Sequence, residues 1–271
     1  MLNPLPLIKV GEHNTSAFSI ERGVKQGCPI SGNLFNIFVN DILEFIEPIH
    51  VPGVSKNLRG LLQADDLVIL GDSPEQLQSN LDALSRWAAT FEMSFNNSKC
   101  GIMQFYVPDM IHHFTLSGDV VPIVESYVYL GVIFDPSMNF RKFVSAKAAS
   151  LNKMTSLLQP VLSNSSIPIR TKLRLIKVVL IGHVCYGLEL LAGSKARVGP
   201  IQTKINAAAR IALGGPKHTA VTGLLNDAGL FPIDSLSRMA AIRLFRKAPY
   251  LRSSLSCLVG TSYTVASFGS G

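Results

Sequence analysis

Apolar and polar side chains alternate over residues 17–24, and Gly27 and Pro29 follow at once, which predicts a strand entering a turn. The spacing then becomes helical. Leu34, Phe35, Phe38, Val39, Ile42, Leu43, Phe45 and Ile46 form a broad apolar face, with Ser31 placed to cap its start and Pro48 to stop it. Two short runs, residues 61–64 and 67–70, flank Asp65 and Asp66, the pattern of a β-hairpin with carboxylates at its tip. Ser73-Pro74-Glu75-Gln76 combines an N-cap serine, a proline at the first helical position and a glutamine three residues past the cap, so a helix is expected from there to Met93. Short strands are expected at residues 101–105, 114–116, 120–123 and 127–134. Beyond Pro136 only helical periodicity remains, over residues 140–158, 168–191, 200–213 and 233–246. The result is an α+β fold: a layer of strands with helices to one side in residues 1–136, then an all-helical region in 137–250. Residues 251–271, rich in Ser and Gly and nearly free of charge, are expected to fray.

Composition narrows the class. With 271 residues, 47% of them hydrophobic, the chain is long enough to bury a substantial core, which argues against disorder. Cys28, Cys100, Cys185 and Cys257 lie far apart with no C-x-x-C pair, so neither a zinc cluster nor a disulfide framework is indicated and a reducing compartment suits them. Residues 1–10 are broken by Pro4 and Pro6 and do not form a secretory leader, so an intracellular location is expected. The longest apolar stretch, residues 173–192, contains Arg174, Lys177, His183 and Glu189. At roughly 2.5 to 3.5 kcal/mol for each charge near a bilayer centre, a buried amphipathic helix fits it better than a membrane span.

Charge divides the chain in two. Up to Pro136 there are 7 Lys+Arg against 15 Asp+Glu, a balance of −8; from Ser137 onward there are 18 against 3, a balance of +15. So basic a half is expected to attract a polyanion, with nucleic acid the usual candidate.

Adjacent aspartates between two apolar runs are costly, because strands disfavour aspartate and neighbouring like charges repel. A hard divalent cation such as Mg²⁺ offsets that cost, since it prefers carboxylate oxygens and completes its shell with water and substrate phosphates. Asp-Asp pairs also occur in plain turns, so the pair alone leaves both readings open.

Its neighbours add order. Arg22-Gly23-Val24-Lys25-Gln26-Gly27-Cys28-Pro29-Ile30-Ser31 precedes Leu34-Phe35-Asn36; Ala64-Asp65-Asp66-Leu67-Val68 comes next; Phe95-Asn96-Asn97-Ser98-Lys99 follows the next helix, and Tyr129-Leu130-Gly131 closes the series. In this order the motifs resemble the reverse transcriptases of non-LTR retrotransposons over residues 17–136, with a weaker likeness to the family's helical thumb as far as residue 192. The resemblance implies a partial polymerase palm followed by a thumb-like region, and RNA-directed DNA synthesis as the activity. It implies that Gly23, Gln26, Gly27 and Ser31 form a loop touching template and incoming nucleotide, where glycine lets a backbone come close to a base or sugar. It further implies that Asp65 and Asp66 bind Mg²⁺ in a two-metal site, that Lys99 lies beside the nucleotide phosphates, and that Tyr129, Leu130 and Gly131 grip the primer. The partners so implied are an RNA template, a DNA primer or duplex and a dNTP, with no membrane. Arg141, Lys142, Lys147, Lys153, Arg170, Lys172, Arg174 and Lys177 would lie along the duplex backbone, contacts that carry little sequence information.

The pattern departs from the family in three places. The family takes a further catalytic aspartate from a strand upstream of the Gly23 loop, whereas no aspartate precedes Asp41 here; Asp41 falls within the predicted helix and Glu12 in a polar turn. Gln63 stands where an aromatic is usual, and Gly32 where a proline is usual. The expectation is therefore a fragment truncated at its N-terminus, its fingers supplied by a separate chain if at all, and inactive as a polymerase in isolation. Two other readings suit the composition: a non-catalytic nucleic-acid-binding module built on the basic helices, and a nonfunctional retrotransposon relic.

Overall fold

The computed structural model describes residues 9–16, 23–51, 57–105, 112–192, 194–216 and 218–247, together with the backbone of 264–268. A two-residue pair, β1 (Lys9–Val10) and β2 (His13–Asn14), opens it. Helix α1 (Ser31–Val39) then passes into a 3-10 turn, Asn40–Phe45. β3 (Gly60–Gln63) and β4 (Asp66–Gly71) form the acidic hairpin, in which Gln63 pairs with Asp66 and leaves Ala64 and Asp65 as the loop. Ser73 Oγ accepts from Gln76 N at 3.2 Å, as the capping spacing predicts, while Gln76 Oε1 accepts from Asp72 N, one residue before the cap, at 2.8 Å, starting α2 (Pro74–Thr90).

After α2 come β5 (Gly101–Gln104), the hairpin β6 (Phe114–Leu116) with β7 (Asp119–Val121), and the hairpin β8 (Tyr127–Tyr129) with β9 (Val132–Phe134). The helical half consists of α3 (Arg141–Leu162), α4 (Ile169–Leu175), a π-helical stretch Ile176–Ile181, α5 (Gly182–Cys185), a 3-10 turn Leu188–Leu191, α6 (Lys195–Leu213), α7 (Val221–Ala228) and α8 (Ile233–Lys247). A last strand, β10 (Thr264–Phe268), returns to the sheet, whose order is β3-β4-β10-β5 with every ladder antiparallel.

Two apolar cores follow the change of pattern near residue 137. Leu77, Leu81, Leu84, Trp87 and Ala88 recur at helical spacing on α2 and are buried against Leu67 and Ile69 of β4, Ile102 of β5, and Val39, Ile42 and Ile46. β6 and β7 close the edge of this core with Phe114, Leu116 and Val121, held by Thr115 N donating to Gln78 Oε1 at 3.0 Å and Ser117 N to Ser85 Oγ at 2.8 Å. The second core gathers Phe143, Leu151, Ile176, Leu180 and Ile205 from the helices. It also takes in Val132, with Ile133 and Phe134 packed against it, so β9 belongs to the helical core although it lies before residue 137.

Several elements differ from the sequence expectation. Of the strand expected at 17–24, residues 17–22 lie outside the described residues, and Gly23 and Val24 are not in a strand. Ser31 does not cap α1: Ile30 holds the N-cap position, and Ser31 Oγ donates instead to Lys25 O at 2.7 Å. The apolar face of this segment is only partly used, with Val39, Ile42 and Ile46 buried and Leu34, Phe38 and Phe45 exposed. The strand expected over 127–134 folds back on itself, because Leu130 and Gly131 both adopt positive φ, 46° and 73°, the conformation of a two-residue hairpin turn. The helix expected over 168–191 breaks at Tyr186 and Gly187; Gly187 has φ 77°, and a Cβ there would meet Phe143 Cζ at 2.8 Å, so the chain turns where only glycine fits. α6 begins at Lys195 rather than Pro200 because Ser194 Oγ accepts from Arg197 N at 3.3 Å and sets the cap earlier. α7 was not expected, its periodicity being diluted by Thr222, Gly223, Asn226 and Asp227. Within the stretch expected to fray, Thr264–Phe268 is a strand; these residues are uncharged, contain no proline and include β-branched Thr and Val.

Candidate catalytic and nucleic-acid site

Hairpin β3–β4 presents its two acids in different ways. Asp65 sits in the loop beside Ala64, whose φ is 52°, and is exposed; Asp66 is the first residue of β4 and half-buried. Asp65 lines a cleft of about 50 Å³ with Phe35 and Val39 of α1, Trp87 of α2 and Phe95. Strand alternation puts Asp66 on the opposite face, with Val68 and Leu70. Val68 and Leu70 line a groove with Tyr127 and Tyr129. The Tyr129 phenol is held above its ordinary pKa, first by burial and then by the negative charge of Asp66. The structure therefore brings Tyr129 within electrostatic reach of Asp66.

The other expected residues are distributed around this pair. Lys99 ends a one-turn 3-10 helix, Asn97–Lys99, capped by Asn96 Oδ1, which accepts from Ser98 N at 3.2 Å. The Lys99 side chain is exposed, and its carbonyl accepts from Tyr127 Oη at 2.5 Å, which joins the Asn96–Lys99 segment to the β8–β9 hairpin. Leu130 and Gly131 form that hairpin's turn, and Tyr186 Oη donates to the Leu130 carbonyl from the helical half. Gly23, Gln26 and Gly27 are exposed, and Ser31 is half-buried. Gly23 and Gly27 have φ of 89° and 81° with nothing within 4 Å of an added Cβ, so turn geometry rather than crowding calls for glycine at both. This loop reaches the acidic hairpin through α1, whose Phe35 and Val39 share the cleft with Asp65. Gln63 is exposed, and Gly32 is exposed with nothing near an added Cβ.

Both carboxylates have access to solvent, which suits a Mg²⁺ of the kind completed by water and phosphate oxygens. Among the described residues, no group of three or more His, Cys, Asp or Glu is placed to share an ion. Asp41 does not join Asp65 and Asp66 in such a group; its Oδ1 accepts from Trp87 Nε1 at 3.1 Å.

The helical half offers a basic surface. Arg141, Lys142, Lys153, Arg170, Arg174 and Lys177 are exposed. Two of the expected contacts are not on that surface: Lys172 is 5% exposed, and Lys147 is half-buried, donating to His183 O at 3.1 Å with its ammonium 5.4 Å from the centre of the Tyr186 ring. Burial lowers the pKa of Lys147. Sequence reasoning missed Tyr186, which faces Lys147 and ties down Leu130; its only signal is its place before Gly187 in an otherwise apolar stretch. Among the described residues, no helix is long and apolar enough to cross a membrane.

The fold is an α+β layer bearing paired acids on a hairpin, followed by basic helices, and comparison with known proteins gives its first half a family. Residues 2–134 match the model of the reverse transcriptase (RNA-dependent DNA polymerase) family, and this segment belongs to that family. Its type is that of the non-LTR retrotransposons. The chain is 26% identical over 184 residues to the RNA-directed DNA polymerase from mobile element jockey of Drosophila funebris, covering 63% of this chain and 19% of that protein. To the Drosophila melanogaster protein of the same description it is 22% identical over 274 residues, covering 95% of this chain and 29% of that protein, so the likeness continues through the helical half. To the retrovirus-related Pol polyprotein from type-1 retrotransposable element R2 of Popillia japonica it is 26% identical over 195 residues, 67% of this chain and 31% of that protein. The chain thus spans less than a third of the length of these curated relatives. No solved structure matches it significantly. These matches favour the reverse transcriptase reading over a non-catalytic binding module or a relic.

Proposed function

We propose that this chain contributes the acid-bearing part of an RNA-directed DNA polymerase, with β3–β4, β5 and α2 acting as its palm and α3 to α6 as its thumb. The observation that carries the reading is the hairpin that bears Asp65 and Asp66, with Tyr129 of the β8–β9 hairpin within electrostatic reach of Asp66. Asp65 and Asp66 would hold Mg²⁺, which when bound lowers the pKa of an attacking hydroxyl and stabilises charge at phosphorus. Lys99, exposed on its short turn, neutralises phosphate charge on the incoming dNTP. The loop of Gly23, Gln26, Gly27 and Ser31 receives the base and template, and Tyr129 to Gly131 steady the primer end. Arg141, Lys142, Lys153, Arg170, Arg174 and Lys177 hold the RNA and DNA strands through their phosphates, so duplex binding weakens as salt rises.

The test is dNTP binding to the chain on a primed RNA, with Mg²⁺ and with EDTA, in the native chain and in Asp65→Ala. Binding should depend on Mg²⁺ and lose that dependence in the variant, while duplex affinity stays unchanged. Nucleotide binding that is equal under all four conditions would overturn the reading.

A further inference from the structure

Lys147 holds a charge that the basic surface does not use. It is half-buried, donates to the His183 carbonyl at 3.1 Å, and places its ammonium 5.5 Å from the centre of the Phe143 ring and 5.4 Å from that of Tyr186. Phe143 and Lys147 stand one turn apart on α3 and so share a face. Both act on the same break in the chain. The His183 carbonyl lies in the last turn of α5, where carbonyls lack a helical N–H, and Lys147 supplies the donor. Tyr186 then leaves α5 with extended backbone, ψ 119°, and Gly187 at φ 77° lies against the Phe143 ring. Tyr186 is thereby turned toward the β8–β9 hairpin: its Oη donates to the Leu130 carbonyl, and a Cβ added to Gly131 would meet its Cε1 at 3.3 Å.

We propose that Lys147 and Tyr186 are positioning residues for the β8–β9 turn: the lysine fixes the Tyr186 ring, and the ring holds Leu130 and Gly131 where they meet the primer end. That last step rests on the polymerase reading; the placement of the turn does not. The turn needs such a hold, because β8 and β9 are three residues each and form a sheet of two strands, a pair too short to keep its shape unaided. An ammonium over a ring face is attracted by the ring's electrons, which opposes any swing of the ring away from α3. The phenol hydroxyl then sets how far the Leu130 carbonyl stands from α3, and Gly131, with no Cβ, lets the ring lie against the backbone.

The hold has a consequence one residue away. Tyr129 precedes Leu130 and has its phenol raised above the ordinary pKa by burial and by Asp66, so a turn that drifts alters both influences on it. Tyr129 therefore reports the place of the turn with no nucleic acid present.

Hydrogen exchange and the Tyr129 titration, both on the full chain, test the placement. In Tyr186→Phe, which keeps the ring and removes one oxygen, amides of residues 127–134 should exchange at least about threefold faster than in the native chain, while those of α2 and α6 keep their rates. Lys147→Met, which keeps an unbranched stem and removes the charge, should speed the same amides. In both variants the Tyr129 phenol, followed by NMR of ring-labelled tyrosine, should titrate at lower pH than in the native chain. Unchanged exchange and titration in Tyr186→Phe would overturn the proposal, and so would faster exchange spread evenly through α2 and α6, the mark of a merely structural side chain. The primer step is read from affinity for a primed RNA with a recessed 3′ end against a continuous RNA–DNA duplex of the same length. The native chain should prefer the recessed end, and Tyr186→Phe should lose at least about threefold of that preference with its affinity for the continuous duplex unchanged. A preference kept in full would overturn that step. A native chain that binds both alike would sink the polymerase reading, and the exchange and titration results would still decide the placement.

Discussion

Asp66 stands close enough to Tyr129 for its charge to raise the phenol's pKa, adding to the larger effect of burial. The two residues come from separate hairpins, so their proximity measures how the acidic tip and the β8–β9 turn are assembled. Removing the charge should undo only its own share. In Asp66→Asn the Tyr129 phenol should titrate at lower pH than in the native chain, yet still above the ordinary tyrosine value because burial persists. Difference absorbance of the phenolate across the alkaline range, with Tyr129→Phe to assign the signal, gives the answer.

Leu130 is an exposed non-glycine residue at φ 46°, followed by Gly131 at φ 73°. A left-handed conformation costs an ordinary side chain about 1 to 2 kcal/mol, and asparagine tolerates it better. Leu130→Asn creates the Asn-Gly pair that two-residue hairpins favour and should stabilise the chain by about 1 kcal/mol. A rise in the urea midpoint with an unchanged slope is the expected result.

Trp87, the chain's single tryptophan, is 2% exposed, lies 4.9 Å from the Phe91 ring centre and donates to Asp41 at 3.1 Å. Truncation to alanine opens a cavity in the core under β4 and leaves the Asp41 carboxylate without that donor. Trp87→Ala should therefore cost about 3 to 5 kcal/mol in chemical denaturation. Trp87→Phe should cost less, because it keeps most of the ring packing.

The cysteines should separate by reactivity. A hydrogen bond from the Ile30 backbone is the main cause that lowers the Cys28 pKa, whereas burial raises Cys185 and pushes Cys100 up to about 11. The thiolate is the reactive form, so near neutral pH iodoacetamide should modify Cys28 first and Cys100 last among these three. Peptide mapping by mass spectrometry reads the order. Because Cys28 lies in the loop from Gly23 to Ser31, bound primed RNA should slow its modification.

Much of the acidic layer was legible because its signals are local. The cap at Ser73 and the apolar spacing of α2 act within a few residues, and the two runs around Asp65 and Asp66 needed only each other to pair. What escaped were features set by distant partners. Nothing near residue 266 reveals that its strand pairs with residues 69 and 102, and the break at Gly187 is imposed by the Phe143 ring from another helix. Ser31 is a good cap by type, but Ile30 holds the N-cap position and Ser31 is already helical, its hydroxyl donating to the Lys25 carbonyl. At the site, the residue types were readable while their surroundings were not: spacing places Asp65 and Asp66 side by side, but only the fold assigns one to the α1 cleft and the other to Tyr129.

The β8–β9 hairpin is moored on both banks of the molecule. Tyr127 fastens it to the Lys99 carbonyl on the acidic side, while Val132 is sunk in the helical core and Tyr186 clasps its turn. A displacement of the helices relative to the acidic hairpin would therefore also have to move Tyr129, whose phenol lies within electrostatic reach of Asp66.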